Sequence, residues 1–236
     1  MRYFLAWLTV LASFTGCTAA TGPGKTGAAG FDTLQLGKSD VDRIAEAHQR
    51  SLMAGLRGLA EKLYRRNPRE WKKGGWNGPD EAVQRLFGSR HNWRFQELEG
   101  RVGIDAIRLG LKADYSGDRV FAFIAGLGGM SLAAFNERYE LFFTDELDPQ
   151  KLYNAARNFE IAAWKLSNEK GVDGVPLLLS NECGSPANLS FEREFGKSIA
   201  TLDILSGVIA DKTNRTVVKV VQTMATAVFL PVAGIK

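Results

Sequence analysis

From residue 39 onward, apolar positions recur at helical spacing along most of the chain. Val41, Ala45, His48, Leu52, Leu56, Leu59 and Leu63 follow at steps of three and four, one face of an amphipathic helix. Ser39 and Asp42 approximate a capping box at its start. Pro68 disfavours helical geometry at Asn67 and marks its end. Pro79 behind Gly78, with Asp80 and Glu81 in a first turn, predicts a short helix through Phe87. Another helix is expected within Phe95 to Lys112, despite Gly100, Gly103 and Gly110. Val120 to Phe143 is strongly apolar. Asp148 and Pro149 form a cap and a first-turn proline ahead of a stripe of Leu152, Ala156, Phe159, Ala163 and Leu166. Gly171 to Pro186 reads as a loop, with Leu177-Leu178-Leu179 a short strand or a buried plug. Phe191, Phe195, Ser198, Leu202, Leu205 and Ile209 predict one more helix. In Thr216 to Phe229 the valines permit a strand, but Val217, Val221, Met224 and Val228 favour a helix. The pattern predicts an all-α fold, a multi-helix bundle spanning residues 39–236.

The chain ahead of that bundle has a different pattern. Arg2 is followed by an apolar run, Phe4 to Leu11, broken only by Thr9, and then by Phe14-Thr15-Gly16-Cys17. This order of a positive start, a short apolar stretch and small residues before a cysteine resembles the signal peptide and lipobox of bacterial lipoproteins. Phe14 stands where leucine is usual. The resemblance implies that residues 1–16 are removed and that Cys17 becomes the acylated first residue. Thr18 at the next position, rather than Asp, then implies the outer membrane, facing the periplasm. Cleavage after Ala20 by an ordinary signal peptidase would instead give a soluble periplasmic protein, and retention in the inner membrane is a further alternative. The apolar run is too short to span a bilayer comfortably, which takes roughly 20 residues. Residues 17–38, rich in Gly, Ala and Thr, read as a flexible tether with a reach of roughly 25 Å.

Composition supports export without disulfides. Cys17 and Cys183 are the two cysteines, and acylation of the first leaves the second without a partner. Stability then rests on the apolar core, which a chain of this length can supply. Loss of Arg2 takes one unit from a formal net charge of +4, leaving too little to argue for nucleic acid.

No complete catalytic or metal-binding constellation emerges. Gly22-Pro23-Gly24-Lys25-Thr26 looks like the end of a phosphate-binding loop, but Ala19 replaces the first glycine and no strand precedes it. Gly129-Met130-Ser131-Leu132-Ala133 resembles a nucleophile elbow, yet both histidines, His48 and His91, precede Ser131, against the required order. Two histidines without a His-Glu-x-x-His pair give no metal site, and Asp114 to Asp118 does not match a calcium loop. Neither a metal nor another cofactor is expected. Cys183 beside Glu182 lacks the neighbouring base or cation that would activate a thiol. Glu97 and Glu99 point to different faces of a helix.

Two segments rise above this background. Lys62, Arg65, Arg66, Arg69, Lys72 and Lys73 are interleaved with Tyr64, Trp71 and Trp76. Cations among aromatics suit an anionic headgroup surface; the plainer reading is a solvated helix end with its tryptophans tucked inward. Val120 to Phe135 is uncharged and is either a buried central helix or a membrane-inserted one. The expectation is a lipoprotein held to the membrane through Cys17 that works by binding another envelope protein or the membrane surface. The alternatives are an envelope hydrolase using carboxylates or Cys183, and a bilayer-embedded helical component.

Overall fold

A computed structural model describes residues 37–182 and 188–233. The expectations for the signal peptide, Cys17, most of the tether, the phosphate-loop-like run and Cys183 therefore lie outside the described residues. Gly37 and Lys38, assigned to the tether on composition, are held to the body: Lys38 Nζ lies 2.6 Å from Glu46 Oε1 and its side chain is 4% exposed.

The described residues form seven α-helices and no strand, an all-α bundle. The helices are α1 (Asp40–Arg66), α2 (Pro68–Lys73), α3 (Pro79–Phe87), α4 (Ile104–Gly110), α5 (Arg119–Ala134), α6 (Pro149–Asn168) and α7 (Ser190–Thr213). Local chemistry accounts for most boundaries. Ser39 Oγ accepts the Asp42 N–H and Asp42 returns a carboxylate to the Ser39 N–H, closing the expected capping box. Asp148 caps α6 ahead of Pro149. Pro68 and Pro79 begin α2 and α3, where a missing N–H costs nothing.

Four helices make a ring of neighbours: α1 packs on α5 and α7, and α6 packs on the same two. Phe123, Phe159 and Phe195 meet edge to face inside that ring. The apolar stripes expected on α6 and α7 are the buried ones. On α1 the leucines are buried as expected, but its first turns bury Asp42, Glu46 and Gln49. Glu46 accepts the Leu141 N–H and Gln49 donates to Arg138 O, so these polar groups hold the chain between α5 and α6. His48 is half-buried and bonds its own helix at Ile44 O.

Helix α5 is the centre. Val120 to Leu127 are buried without exception. Its outer side is covered by α4, at a separation only glycine allows: a Cβ on Gly126 would stand 2.5 Å from Ile107 Cγ1 and 2.7 Å from Gly103 O. Among the described residues no helix is long and apolar enough to cross a membrane, and Val120 to Phe135 is core.

Two expected helices are corrected. Within Phe95 to Lys112 the chain forms a 3-10 turn at Gln96–Leu98 and then the short α4. Glu99, Gly100 and Gly103 all take positive φ, which a continuous helix excludes. Thr216 to Phe229 has one 3-10 turn, Met224–Thr226, and is otherwise an irregular strap. Side chains of α6 supply the hydrogen bonds a helix would have made for itself: Gln150 bonds both main-chain groups of Val218, and Asn158 both of Leu230. Leu177 and Leu178 are a buried loop plug, fixed by Asn67, whose amide bonds both main-chain groups of Leu179.

Two glycine substitutions should separate close approach from mere helix weakening. Gly126→Ala is expected to lower the unfolding free energy by about 1–3 kcal/mol through overpacking. Gly207→Ala, exposed in α7 with nothing within 4 Å of the new methyl, should raise it by about 0.5–1 kcal/mol. Urea unfolding of both variants reads the two signs.

Candidate functional site

The expected cationic segment spans the end of α1, the whole of α2 and the turn after it, and the structure gives its residues different roles. Lys62 Nζ lies 2.9 Å from Glu194 of α7, and Arg66 lies 3.3 Å from Glu182; these two fasten α1 to its neighbours. Arg65 and Lys72 are exposed, and the Lys72 ammonium sits 5.4 Å from the Trp71 ring centre. Trp71 and Trp76 are half-buried against the core, and Trp76 stacks on Phe121. Arg69 and Lys73 act together. They are one turn apart on α2 and line a cavity of about 400 Å3.

The rest of that cavity comes from parts of the chain that no local pattern connects. Arg119, the first residue of α5, lines it, as does the loop Gly171 to Leu177. Arg119 is 6% exposed. Its guanidinium donates to Gly110 O, Lys112 O and Ala113 O, closing the carboxyl end of α4. Those partners are neutral carbonyls, so the charge is held in place without being cancelled by direct contact with a carboxylate. Burial lowers its pKa from the ordinary arginine value, while the nearby Glu70 works the other way.

Beneath the cavity lies a buried acidic cluster. Glu70 is wholly buried. Its Oε2 accepts the Arg119 N–H at 2.9 Å, and its Oε1 lies 2.8 Å from Lys73 Nζ and 3.5 Å from Arg69 Nε. Asp118 is 6% exposed; one oxygen accepts the Phe121 N–H at 2.9 Å and the other the Tyr64 hydroxyl at 2.8 Å. Burial is the main cause that pushes the Asp118 carboxyl up to about 6, with Glu70 adding to it and the bonds from Phe121 and Tyr64 opposing it. The Tyr64 hydroxyl is raised too, by burial and then by the charge of Asp118, and stays a donor. Glu70 and Asp118 escape a reading by motif, although each carries a faint signal. Glu70 is an acid inside a basic run, and Asp118 is a cap residue directly before the apolar stretch.

The other candidate residues have structural roles. Ser131 is fully buried and donates to Leu127 O one turn back, so it is not presented as a nucleophile. His91 Nδ1 accepts the Trp93 N–H, which leaves Nε2 to donate to Leu86 O, and its ring meets Trp93 and Phe95 edge on. Glu97 pairs with Arg85, and Glu99 with Arg101. Among the described residues no group of three His, Cys, Asp or Glu side chains is placed to hold a metal ion.

Compared with protein-family models, curated proteins and solved structures, the chain matches none. The reading of the site therefore rests on its chemistry. Three cations surround an open cavity, and the acids below them are already engaged by internal donors. Such a site can bind an anion; it presents no free carboxylate pair for acid–base work.

The Asp118 shift has a definite sign. An acid whose folded pKa is raised stabilises the fold below the unfolded value, and that contribution is lost as pH rises towards the folded one. Between about pH 4 and 6 the wild-type chain should lose up to about 3 kcal/mol relative to Asp118→Asn, and the difference should level off above that range. Asp42, Glu97 and Glu194 are shifted downward and enter both proteins alike. Urea midpoints of the two proteins across pH 4–7 check it.

Proposed function

We propose that this chain is a lipoprotein of the outer membrane whose helical body serves in the periplasm as a binding module for an anionic partner, either the membrane surface or another envelope protein. The observation that carries the binding role is the cavity in which Arg69 and Lys73 of α2 meet Arg119 of α5. Charges from segments distant in sequence are gathered at one opening, and the one that is fixed by main-chain carbonyls is the most buried. The engagement of Glu70 by Lys73 and the Arg119 N–H, and of Asp118 by Tyr64 and Phe121, favours binding over hydrolysis.

The address comes from the order of residues in Met1 to Cys17, and it fits the body that follows. The first described helix begins at Asp40, about 20 residues after Cys17 in sequence. The flexible tether read from the composition of residues 17–38 would let the body reach roughly 25 Å from its anchor. Two or more acyl chains on one cysteine hold a protein stably at a bilayer, where a single chain does not.

Material purified from the envelope of a Gram-negative host should carry acyl groups on Cys17, seen as added mass on an otherwise mature chain beginning at that residue. Cys17→Ser should move the protein from the outer-membrane fraction to the soluble periplasm. An unmodified Cys17 in the wild-type chain, or unchanged fractionation of the variant, would exclude the lipid anchor.

A further inference from the structure

The geometry points to a docking site for an anionic phospholipid headgroup at the cavity between α2, the start of α5 and the Gly171–Leu177 loop. It rests on the membrane-tethered reading above and deepens it by naming the ligand.

Charge is the first argument. Arg69, Lys73 and Arg119 face one lining acid, Asp173, whose Oδ1 accepts the Val175 N–H at 3.0 Å. Glu70 lies beneath and neutralises one cation. The cavity lining itself carries three cations and one acid, with Glu70 and Asp118 behind it already holding internal donors, so the negative charge of a phosphodiester at the opening meets the cations first. Arg119 contributes a rigid part of that field because three carbonyls hold its guanidinium. Arg69, with a side chain 63% exposed and its Nε 3.5 Å from Glu70 Oε1, is the most exposed of the three cations. The cavity, at about 400 Å3, accommodates a phosphoglycerol group.

The second argument separates a lipid from a free anion. The cavity wall ends in two apolar side chains turned to solvent, Val172 at 98% exposure and Val175 at 49%. Their loop is closed by Gly171 N to Val175 O at 2.8 Å and by Gly174 N to Gly171 O at 2.9 Å, which holds the main chain that presents them. Gly174 adopts φ +74° to make that turn. Bare valines beside a cationic opening add nothing to the capture of free phosphate. Against a bilayer they enter the acyl boundary while the cations stay among the headgroups. Lys170 and Lys72, on the segments that adjoin these residues in sequence, are exposed as well. A tether keeps the headgroups at high effective concentration, so each contact need only be weak.

Hydrogen exchange on the full chain, purified from membranes, tests this. The probe is phosphatidylcholine vesicles with or without one-quarter phosphatidylglycerol, so whatever the amino-terminal segment contributes enters both arms. Exchange over residues 169–177 should slow about tenfold with phosphatidylglycerol and hardly change without it. Arg69→Gln and Val172→Ser, both at exposed positions, should each remove most of that protection. Lys73→Gln should do so as well, but it also releases buried Glu70, so the first two variants carry the test. Equal exchange in the two vesicle types, or protection unchanged in both variants, would overturn the proposal. Equal protection by millimolar inorganic phosphate with phosphatidylcholine alone would make this a free-anion site and overturn the lipid assignment. Intact mass of the same sample reports Cys17 separately. A bare Cys17 with a protected loop removes the anchor and keeps the headgroup site, whereas an acylated chain with an unprotected loop does the reverse.

Discussion

A helix enclosed by protein on all sides must find acceptors for its free amino-terminal N–H groups without water. In α5 two carboxylates meet that demand. Asp118 takes the Phe121 N–H, and Glu70, brought from α2, takes the Arg119 N–H. Much of the surrounding architecture follows from placing those two acids. Tyr64 must lie on the buried side of α1 to bond the second Asp118 oxygen. The turn at Asn67 and Pro68 must redirect the chain so that Glu70 points inward. Two buried carboxylates close to a helix start are tolerable because every oxygen has a donor and the partial positive charge of the helix end faces them.

The same residue that delivers its N–H to Glu70 sends its side chain the other way, to close the end of α4. Arg119 thus joins the beginning of one helix to the finish of another, and Gly126 lets the two lie in backbone contact. The central layer is therefore polar at one end and close-packed through glycine at its middle. The cationic cavity is a surface expression of this arrangement, since its least mobile charge belongs to the helix junction.

The fold was largely legible in the chain because its determinants are local. Caps such as Ser39 with Asp42, and Asp148 with Pro149, carry their instructions within a few residues. The stripes of α6 and α7 do the same. Misreadings arose where distant partners override local preference. The run after Thr216 has helical spacing, yet Gln150 and Asn158 satisfy its main chain better from outside. Glu99 takes a left-handed conformation that its side chain does not advertise. At the candidate site, the cations of α2 were visible as a basic run. Arg119 was not, because it joins them across 49 residues at Glu70, and neither was the loop that completes the cavity. Polar residues in the first turns of α1 were likewise unreadable as interior, since their burial depends on a segment nearly a hundred positions away.

The terminal strap rests on amide side chains that grip its main chain: Gln150 at Val218, Asn154 at Pro231 and Asn158 at Leu230. Recognition of a peptide backbone is indifferent to which side chains that peptide carries. Evolution can therefore rewrite the gripped stretch with little penalty, while the asparagines and glutamine doing the gripping are hard to exchange. Divergent descendants of this chain would keep their docking pegs on α6 and lose resemblance along the ribbon that the pegs secure.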